Sequence, residues 1–275
     1  MSIGLIAGGG QLPRMISNAC HNHNQELFIA GIQGSGVDET LSNLKIFPIA
    51  KVGAIIRYFK DNSVTQLSIC GSLKRPNFKT LIPDAKGLAV LSKIIFKSLG
   101  DDALLKIIRR ELESEGFKII AVQDLIPELL APHGSLSIIK PNETDMDTIR
   151  LGWDAARYHG AQDLGQSIVV QNDTVLGLED EKGTDELLKK CAAIKQQDGC
   201  KPILVKLSKP QQDMALDAPT IGANTIENLA SLGYGGLVIE AGRTLIVNRA
   251  EVINTCMQHG LFLESYTDED IHHRG

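Results

Sequence analysis

Aromatic residues are scarce in this chain: they make up 4% of 275 residues, with a single tryptophan. That removes the stacking platforms on which single-stranded nucleic acids are held. Positive charge is not in excess either, since 28 Lys and Arg stand against 33 Asp and Glu for a net charge of -5. Nothing draws the chain to a polyanion, and nucleic acid is not expected as a partner. No apolar run approaches the ~18 residues of a spanning helix, and the N-terminus MSIGLIAGGG has no basic region before its short apolar stretch, so neither membrane spanning nor secretion is expected. The five cysteines, Cys20, Cys70, Cys191, Cys200 and Cys256, never fall at C-x-x-C spacing. They read as reduced, mostly buried thiols of a cytoplasmic protein. His21, His23, His133, His272 and His273 are joined to no Cys or carboxylate at zinc-ligand spacing, and there is no G-x-S-x-G elbow or Gly-Lys-Ser/Thr P-loop.

What is present is alternation. The apolar run Ile3 to Ala7 breaks into Gly8-Gly9-Gly10 and is followed by an amphipathic stretch from Leu12 to His21, which reads as strand, glycine turn, helix. Strand-like runs recur at Leu27 to Ile32, Lys45 to Ile49, Gln66 to Cys70 and Lys118 to Val122, with helical spacing at Val52 to Lys60, Leu88 to Ser98 and Ala103 to Glu115. Such alternation builds a mostly parallel sheet covered by helices. From Pro127 to Asn142 prolines and Gly134 interrupt every period, so a linker is expected there, with the boundary near Gly134. Beyond it come a helix from Asp145 to His159 and the strands Ser167 to Gln171 and Thr174 to Glu179, paired as a hairpin across Asn172-Asp173. A helix Asp185 to Lys195, a strand Pro202 to Lys206, a helix Thr225 to Leu232 and strands Gly236 to Glu240 and Thr244 to Val247 follow, and the polar tail from Thr267 is expected to fray. The fold class is therefore α/β in two domains: 1–134, Rossmann-like with a mostly parallel sheet, and 135–275, a second α/β domain.

Three groups of residues have the chemistry of a site. The glycine turn lets backbone amides approach a phosphate, but its third fingerprint position is Pro13 and the strand to Ile32 ends in no acid for a ribose. An ordinary NAD site is disfavoured, and a ligand-free tight turn stays open as the plain alternative. The loop Lys206 to Gly222 carries Lys206, Lys209, Gln212, Asp213 and Asp217 beyond a strand end. Lysines neutralise phosphate oxygens and aspartates hold a hard cation or take a proton from water, although a merely solvated loop has the same composition. Thr184 and Asp185 open a helix, as an N-cap and its first-turn acid do, and Glu179 and Asp180 precede them.

Eight strings in order make the pattern specific. They are Ile3-Gly-Leu-Ile-Ala-Gly-Gly-Gly-Gln-Leu-Pro13, Gly71-x-x-x-Arg75-Pro76-x-Phe78, Pro83-Asp84-Ala85-x-Gly87, Gly100-Asp-Asp-Ala-Leu-Leu105, Asp163-Leu-Gly165-Gln166, Gly183-Thr-Asp185, Asp217-x-Pro-Thr-Ile-Gly222 and Glu240-Ala-Gly-Arg243. Together the chain closely resembles the LpxI family of UDP-2,3-diacylglucosamine pyrophosphatases. The resemblance implies magnesium-dependent hydrolysis of UDP-2,3-diacylglucosamine to UMP and 2,3-diacylglucosamine 1-phosphate in lipid A biosynthesis, with water attacking the β-phosphorus. It implies a cytoplasmic enzyme in peripheral contact with the inner-membrane surface, with the second α/β domain, 135–275, catalytic and the ligand cleft between the two domains; the oligomeric state stays open, a homodimer being one option. By the same resemblance Asp217 is the first candidate for the catalytic carboxylate, with Asp213 and Lys206 beside it, and Asp217, Asp213 and Glu179 are the candidate magnesium ligands. Substrate contacts are expected at Gly8, Gly9, Gly10, Gln11, Arg75, Asp101, Gln166, Thr184, Asp185, Lys209, Gln212, Thr220, Gly222 and Arg243. Lys182 and Ser72 depart from the family pattern, where a glutamate and an asparagine are common. The rival readings are a nicotinamide-dependent reductase and a UDP-sugar sensor without turnover.

Overall fold

The computed structural model describes residues 2–73, 80–95 and 101–272, with side chains for all of these except 94, 95 and 101–104. Arg75 and the side chain of Asp101 lie outside the described part. The chain forms two compact units, Met1–Pro127 with Asp213–Asp217, and Glu128–Gln212 with Ala218–Gly275.

In the first unit β1 (Ser2–Ala7), α1 (Leu12–Asn22), β2 (Leu27–Ile32), β3 (Leu44–Phe47), α2 (Val52–Asp61), β4 (Val64–Cys70), α3 (Ala85–Ile95), α4 (Asp101–Ser114), β5 (Lys118–Ile119) and the short α5 (Val122–Leu125) follow in turn. The sheet order is β3-β2-β1-β4-β5, and every pairing is parallel. This is the doubly wound arrangement, with the order reversing between β1 and β4. The expected Rossmann-like sheet is therefore found. The strands β1 and β2 read as nearly unbroken apolar runs because helices cover the sheet, whereas β4 carries Thr65, Gln66 and Ser68 and is buried from Leu67 to Cys70. Ile55, Ile56 and Phe59 lie on one face of α2 and enter the same core as Ile6, Ile32 and Leu67. Ala215 and Leu216 pack against that core as well, which is why the short stretch 213–217 counts with the first unit. Asp84 accepts from the amides of Gly87 at 2.8 Å and Ala54 at 3.0 Å, so the Pro83-Asp84-Ala85 string ties the starts of α3 and α2 together.

The second unit contains β6 (Gly134–Ser135), α6 (Glu143–Ala161), β7 (Ser167–Gln171), β8 (Thr174–Leu178), α7 (Thr184–Ile194), β9 (Ile203–Lys206), β10 (Thr220–Ile221), α8 (Ala223–Leu232), β11 (Gly236–Glu240), β12 (Leu245–Ile246), α9 (Arg249–His259), β13 (Phe262–Tyr266) and α10 (Asp268–His272). Its main sheet runs β6-β13-β11-β9-β7-β8, beside a parallel β10-β12 pair. The centre β9, β11, β13 is parallel, and β6, β7 and β8 join antiparallel. The expected hairpin is β7-β8, and Asn172, at φ 53, supplies the left-handed residue that a glycine usually provides.

Three expectations are corrected. The stretch Pro127 to Asn142 is not a loose linker: Ala131 donates to the Thr244 carbonyl at 2.8 Å, and β6 pairs with β13, so Gly134 lies inside the second sheet. The tail from Thr267 is anchored rather than frayed as far as His272. Trp153 donates to Asp268 at 2.6 Å, Asp270 accepts from both the amide and the hydroxyl of Thr267 at 2.7 Å, and Ile271 is buried. The strand expected over Lys118 to Val122 ends at Ile119, and Val122 instead opens α5.

Candidate functional site

In the first unit the glycine turn sits at the C-terminal end of β1, beside the switch point where open α/β sheets take ligands. Its space is already filled by chain. The Gly8 amide donates to Cys70 O at 2.8 Å, and Gly9 and Ser72 exchange amide-to-carbonyl bonds of 2.9 Å each. A Cβ on Gly9 would lie 2.3 Å from the Ser35 carbonyl oxygen, and one on Gly8 2.4 Å from that of Ser72. The two glycines are thus required by a crossing of three backbone segments of one unit, and their amides are spent on it. Gly10, at φ +93 with open space around it, and Gln11 are the exposed residues of the turn.

Asp213 and Asp217 bracket one helical turn, the Asp217 amide donating to Asp213 O at 2.9 Å. The Asp213 carboxylate accepts from the Ala215 amide at 3.1 Å and is ion-paired with Arg109, while Gln123 donates to Met214 O at 3.1 Å. Bonds to Glu113 and Asp213 hold Arg109 above the ordinary guanidinium range. The first unit therefore carries this segment by polar anchors as well as by Ala215 and Leu216.

The second unit contains a pocket of about 300 Å³ lined by Lys182, Gly183, Thr184, Asp185, Lys206, Thr220 and Thr225. Two helices begin at it. Gly183 and Gly222 are the N-cap residues of α7 and α8 and offer no capping side chain; the Thr225 amide turns back to Gly222 O at 3.0 Å, and the earlier amides of the two first turns suit an anionic ligand. Each helix adds the partial positive charge of its macrodipole. Between them Asn228 donates to Asp185 at 3.2 Å.

Lys206 forms the floor. It is the last residue of β9, 7% exposed, and pairs across the ladder with Ser167, the first residue of β7. Opposed residues on neighbouring strands stand close enough for their side chains to meet: Lys206 Nζ donates to Ser167 Oγ at 3.2 Å and to Thr184 Oγ1 at 3.2 Å. The Thr184 hydroxyl donates in turn to Glu179 Oε1 at 2.6 Å, and Glu179 Oε2 accepts the Gln166 amide at 2.8 Å. With its proton committed to Glu179, Thr184 presents lone pairs to the ammonium. Among the described residues Lys206 has these two hydroxyls and no carboxylate. A buried ammonium wants a counter-charge, and Lys206 lines the pocket at which α7 and α8 begin, together with Lys182 and Asp185.

Of the expected site residues, the structure brings Thr184, Asp185, Lys206 and Thr220 into one pocket, with Gly222 at the head of α8 and Glu179 behind it. Gln166, Lys209 and Gln212 form a neighbouring set: Gln212 Nε2 donates to Gln166 at 3.2 Å, its Oε1 accepts the Lys209 amide at 3.0 Å, and Lys209 pairs with Asp163 at 2.6 Å. Arg243 donates to Ser208 Oγ at 2.6 Å, and Ser208 donates to the buried Glu240 at 2.5 Å, which fixes the start of the loop after β9. Ser167, Thr225 and the Ser208–Glu240 pair were missed from the sequence; serines and threonines at strand and helix starts carry no signal of their own until the register is known. The expected magnesium cage is not preformed. Glu179 has both oxygens engaged, Asp213 is paired to Arg109, and no group of three His, Cys, Asp or Glu among the described residues could hold a metal ion.

The family model for the LpxI N-terminal domain matches residues 2–129, and that for the LpxI C-terminal domain matches 132–264. The chain belongs to the LpxI family. A relative from Caulobacter vibrioides, named UDP-2,3-diacylglucosamine pyrophosphatase LpxI, is 35% identical over 272 residues, covering 95% of this chain and 96% of that one. The solved structure of the CobK precorrin-6A reductase overlays with a TM-score of 0.30 at 11% identity over 97% of this chain and 89% of that one, too loosely to carry an argument. Both LpxI models are engaged, and the pocket built on Lys206 lies wholly within the stretch matched by the C-terminal one.

Proposed function

We propose that this LpxI-family chain hydrolyses the diphosphate of UDP-2,3-diacylglucosamine, releasing UMP and 2,3-diacylglucosamine 1-phosphate for lipid A biosynthesis. The observation that carries the reading is the buried Lys206 ammonium, held by the Ser167 and Thr184 hydroxyls, at the floor of a pocket where two helices begin. A diphosphate has the charge this site lacks. Lys206 and the first-turn amides of α7 and α8 bind phosphate oxygens, and because they are fixed in place they stabilise the charge that builds as the bridging bond breaks. Glu179 keeps Thr184, and through it Lys206, in one orientation. In the reaction, water forms a bond to the β-phosphorus, the bond to the bridging oxygen breaks, and UMP leaves. Asp217 is proposed to accept the proton of that water.

Magnesium is part of the proposal although its three expected carboxylates form no cage. Magnesium is commonly held by one or two carboxylates and by substrate phosphates, and Asp185 is the carboxylate lining the pocket. When bound it would neutralise phosphate charge; every step above is assigned to the chain's own residues. The substrate's two acyl chains belong to a bilayer, so the proposal includes peripheral contact with the cytoplasmic face of the inner membrane. No helix among the described residues is long and apolar enough to cross one.

The test is purified full-length chain with UDP-2,3-diacylglucosamine and magnesium. UMP release is expected, and binding without release would convert the protein into a sensor. In heavy-oxygen water the label is expected in the phosphate of the lipid product; label in UMP would move the attack to the α-phosphorus.

A further inference from the structure

We propose that Arg109, acting through Asp213, is a positioning residue for Asp217, an inference that rests on the role given to Asp217 above. Asp217 lies in the connection between β9 and β10, beside a single turn rather than in a helix or strand. A carboxylate that takes a proton from water works only at a fixed place, and a turn of this kind has no ladder of its own to fix it. The first unit supplies the fixing. Asp213 O accepts the amides of Leu216 and Asp217 at 2.9 Å each, so the Asp217 backbone follows that of Asp213. The Asp213 side chain then decides how the turn stands. Its Oδ1 accepts the Ala215 amide at 3.1 Å, closing the start of the turn as an N-cap does, and its Oδ2 is ion-paired with Arg109 of α4. From α5, Gln123 donates to Met214 O at 3.1 Å.

Arg109 is itself held. Its Nε donates at 2.7 Å to Glu113, one helical turn further along α4, and its Nη1 donates to Asp213. A planar guanidinium serves two carboxylates from different nitrogens at a set angle, which an ammonium does not. Ile108, beside Arg109, packs against the same core as Ala215 and Leu216. Apolar contact of that kind keeps the turn against the unit but has no direction. The ion pair and the Gln123 bond are directional, so they set the turn's rotation and with it the place of the Asp217 carboxylate. Both Asp213 oxygens thus serve the geometry of the segment. The neighbouring Arg110 is exposed and provides a charge-matched control.

The test is a set of variants of the full-length chain, read by UMP release. Arg109→Gln and Asp213→Asn are each expected to lower kcat at least ~10-fold with KM within about twofold, since a reacting group displaced by about 1 Å can cost ~10²-fold. The double variant should be no slower than the slower single one, as for two residues acting as one unit. In an Asp217→Asn background, Arg109→Gln should cost nothing further; Arg110→Gln should match the parent, and Arg109→Lys should recover only part of the rate. A raised KM, or an undiminished loss in the Asp217→Asn background, would overturn the proposal in favour of Arg109 meeting the substrate. An Asp213→Asn loss that more magnesium relieves and that adds to the loss in Arg109→Gln would overturn it in favour of a cation at Asp213. A further arm needs no catalysis: in Arg109→Gln, amide hydrogen exchange at Leu216 and Asp217 should quicken at least ~10-fold while Leu67 in β4 keeps the parent rate. Unchanged exchange at the turn would overturn the anchoring. If Asp217→Asn keeps full turnover while exchange still quickens in Arg109→Gln, the role of Asp217 in the reaction fails and the anchoring of its turn stands.

Discussion

Two strand ends in this chain invite comparison. In the first unit β1 runs into three glycines, the pattern usually read as a phosphate cradle; in the second, β9 ends on Lys206 with no glycine beside it. The structure inverts the weight of the two. Gly8 and Gly9 are small because the segments at Ser35 and Ser72 cross at van der Waals distance, whereas Lys206 meets two hydroxyls and two uncapped helix starts. A glycine run reports that backbone comes close to something, and here that something is the chain itself.

The sharpest way to break the comparison is to neutralise Lys206. Lys206→Met should lower kcat/KM by ~10²- to 10³-fold, the worth of one fixed donor to a transition-state anion, with Lys206→Arg unable to restore it in so confined a site. Steady-state UMP release checks both. Retained turnover in Lys206→Met would return the pocket to a scaffold role. Asp217→Asn should cost at least ~10²-fold in kcat while leaving KM nearly unchanged, as for a group that works on water rather than on binding.

The counterpart in the first unit is Gly9→Val. The new side chain would meet the Ser35 carbonyl, so the expected effect is destabilisation by about 1–3 kcal/mol, the usual cost of overpacking. It is measured by urea unfolding, with UMP affinity of the folded fraction unaltered. Weakened UMP binding at full stability would reinstate the turn as a nucleotide site.

The smallest effect concerns the end of the second unit. Burial pushes the Asp270 carboxyl up, but bonds from Thr267 and His133 outweigh it and bring its pKa to about 2. A carboxylate depressed in the folded state adds stability above its unfolded pKa of about 3.9 and loses it as pH falls toward the folded value. Asp270→Asn should therefore be less stable than the parent chain at pH 7, the gap closing between about pH 4 and pH 2. A gap independent of pH would assign the effect to packing of Ile271 instead.

Much of the architecture was legible. The runs expected as strands at Ile3 to Ala7, Leu27 to Ile32, Gln66 to Cys70 and Gly236 to Glu240 fall within Ser2–Ala7, Leu27–Ile32, Val64–Cys70 and Gly236–Glu240, because buried strands favour apolar sequence. Helices α2, α6 and α7 start within two residues of where spacing and caps placed them. The missed elements had weak local signals. β13 is Phe-Leu-Glu-Ser-Tyr with all five residues buried; Glu264 and Ser265 interrupt its apolar run, and Ser135 donates to Glu264 from β6 at 2.8 Å. The last helix, Asp268–His272, looks like a charged tail; Trp153 and Arg157 on α6 turn Asp268 into an anchor.

By itself, then, the sequence determined the alternating strand and helix plan, the parallel first sheet, and a set of residues with phosphate chemistry, because periodicity, caps and turn residues act over a few positions. Tertiary structure decided which of them meet. Ser167, Glu179, Thr184 and Lys206 are scattered over some forty positions, and they converge only through the β7–β9 register and the placement of the α7 start. The glycines of the first turn were equally ambiguous until Ser35 and Ser72 arrived against them. A side chain's local preference is written in its neighbours along the chain, but its partners and the space left for a ligand depend on contacts between distant segments.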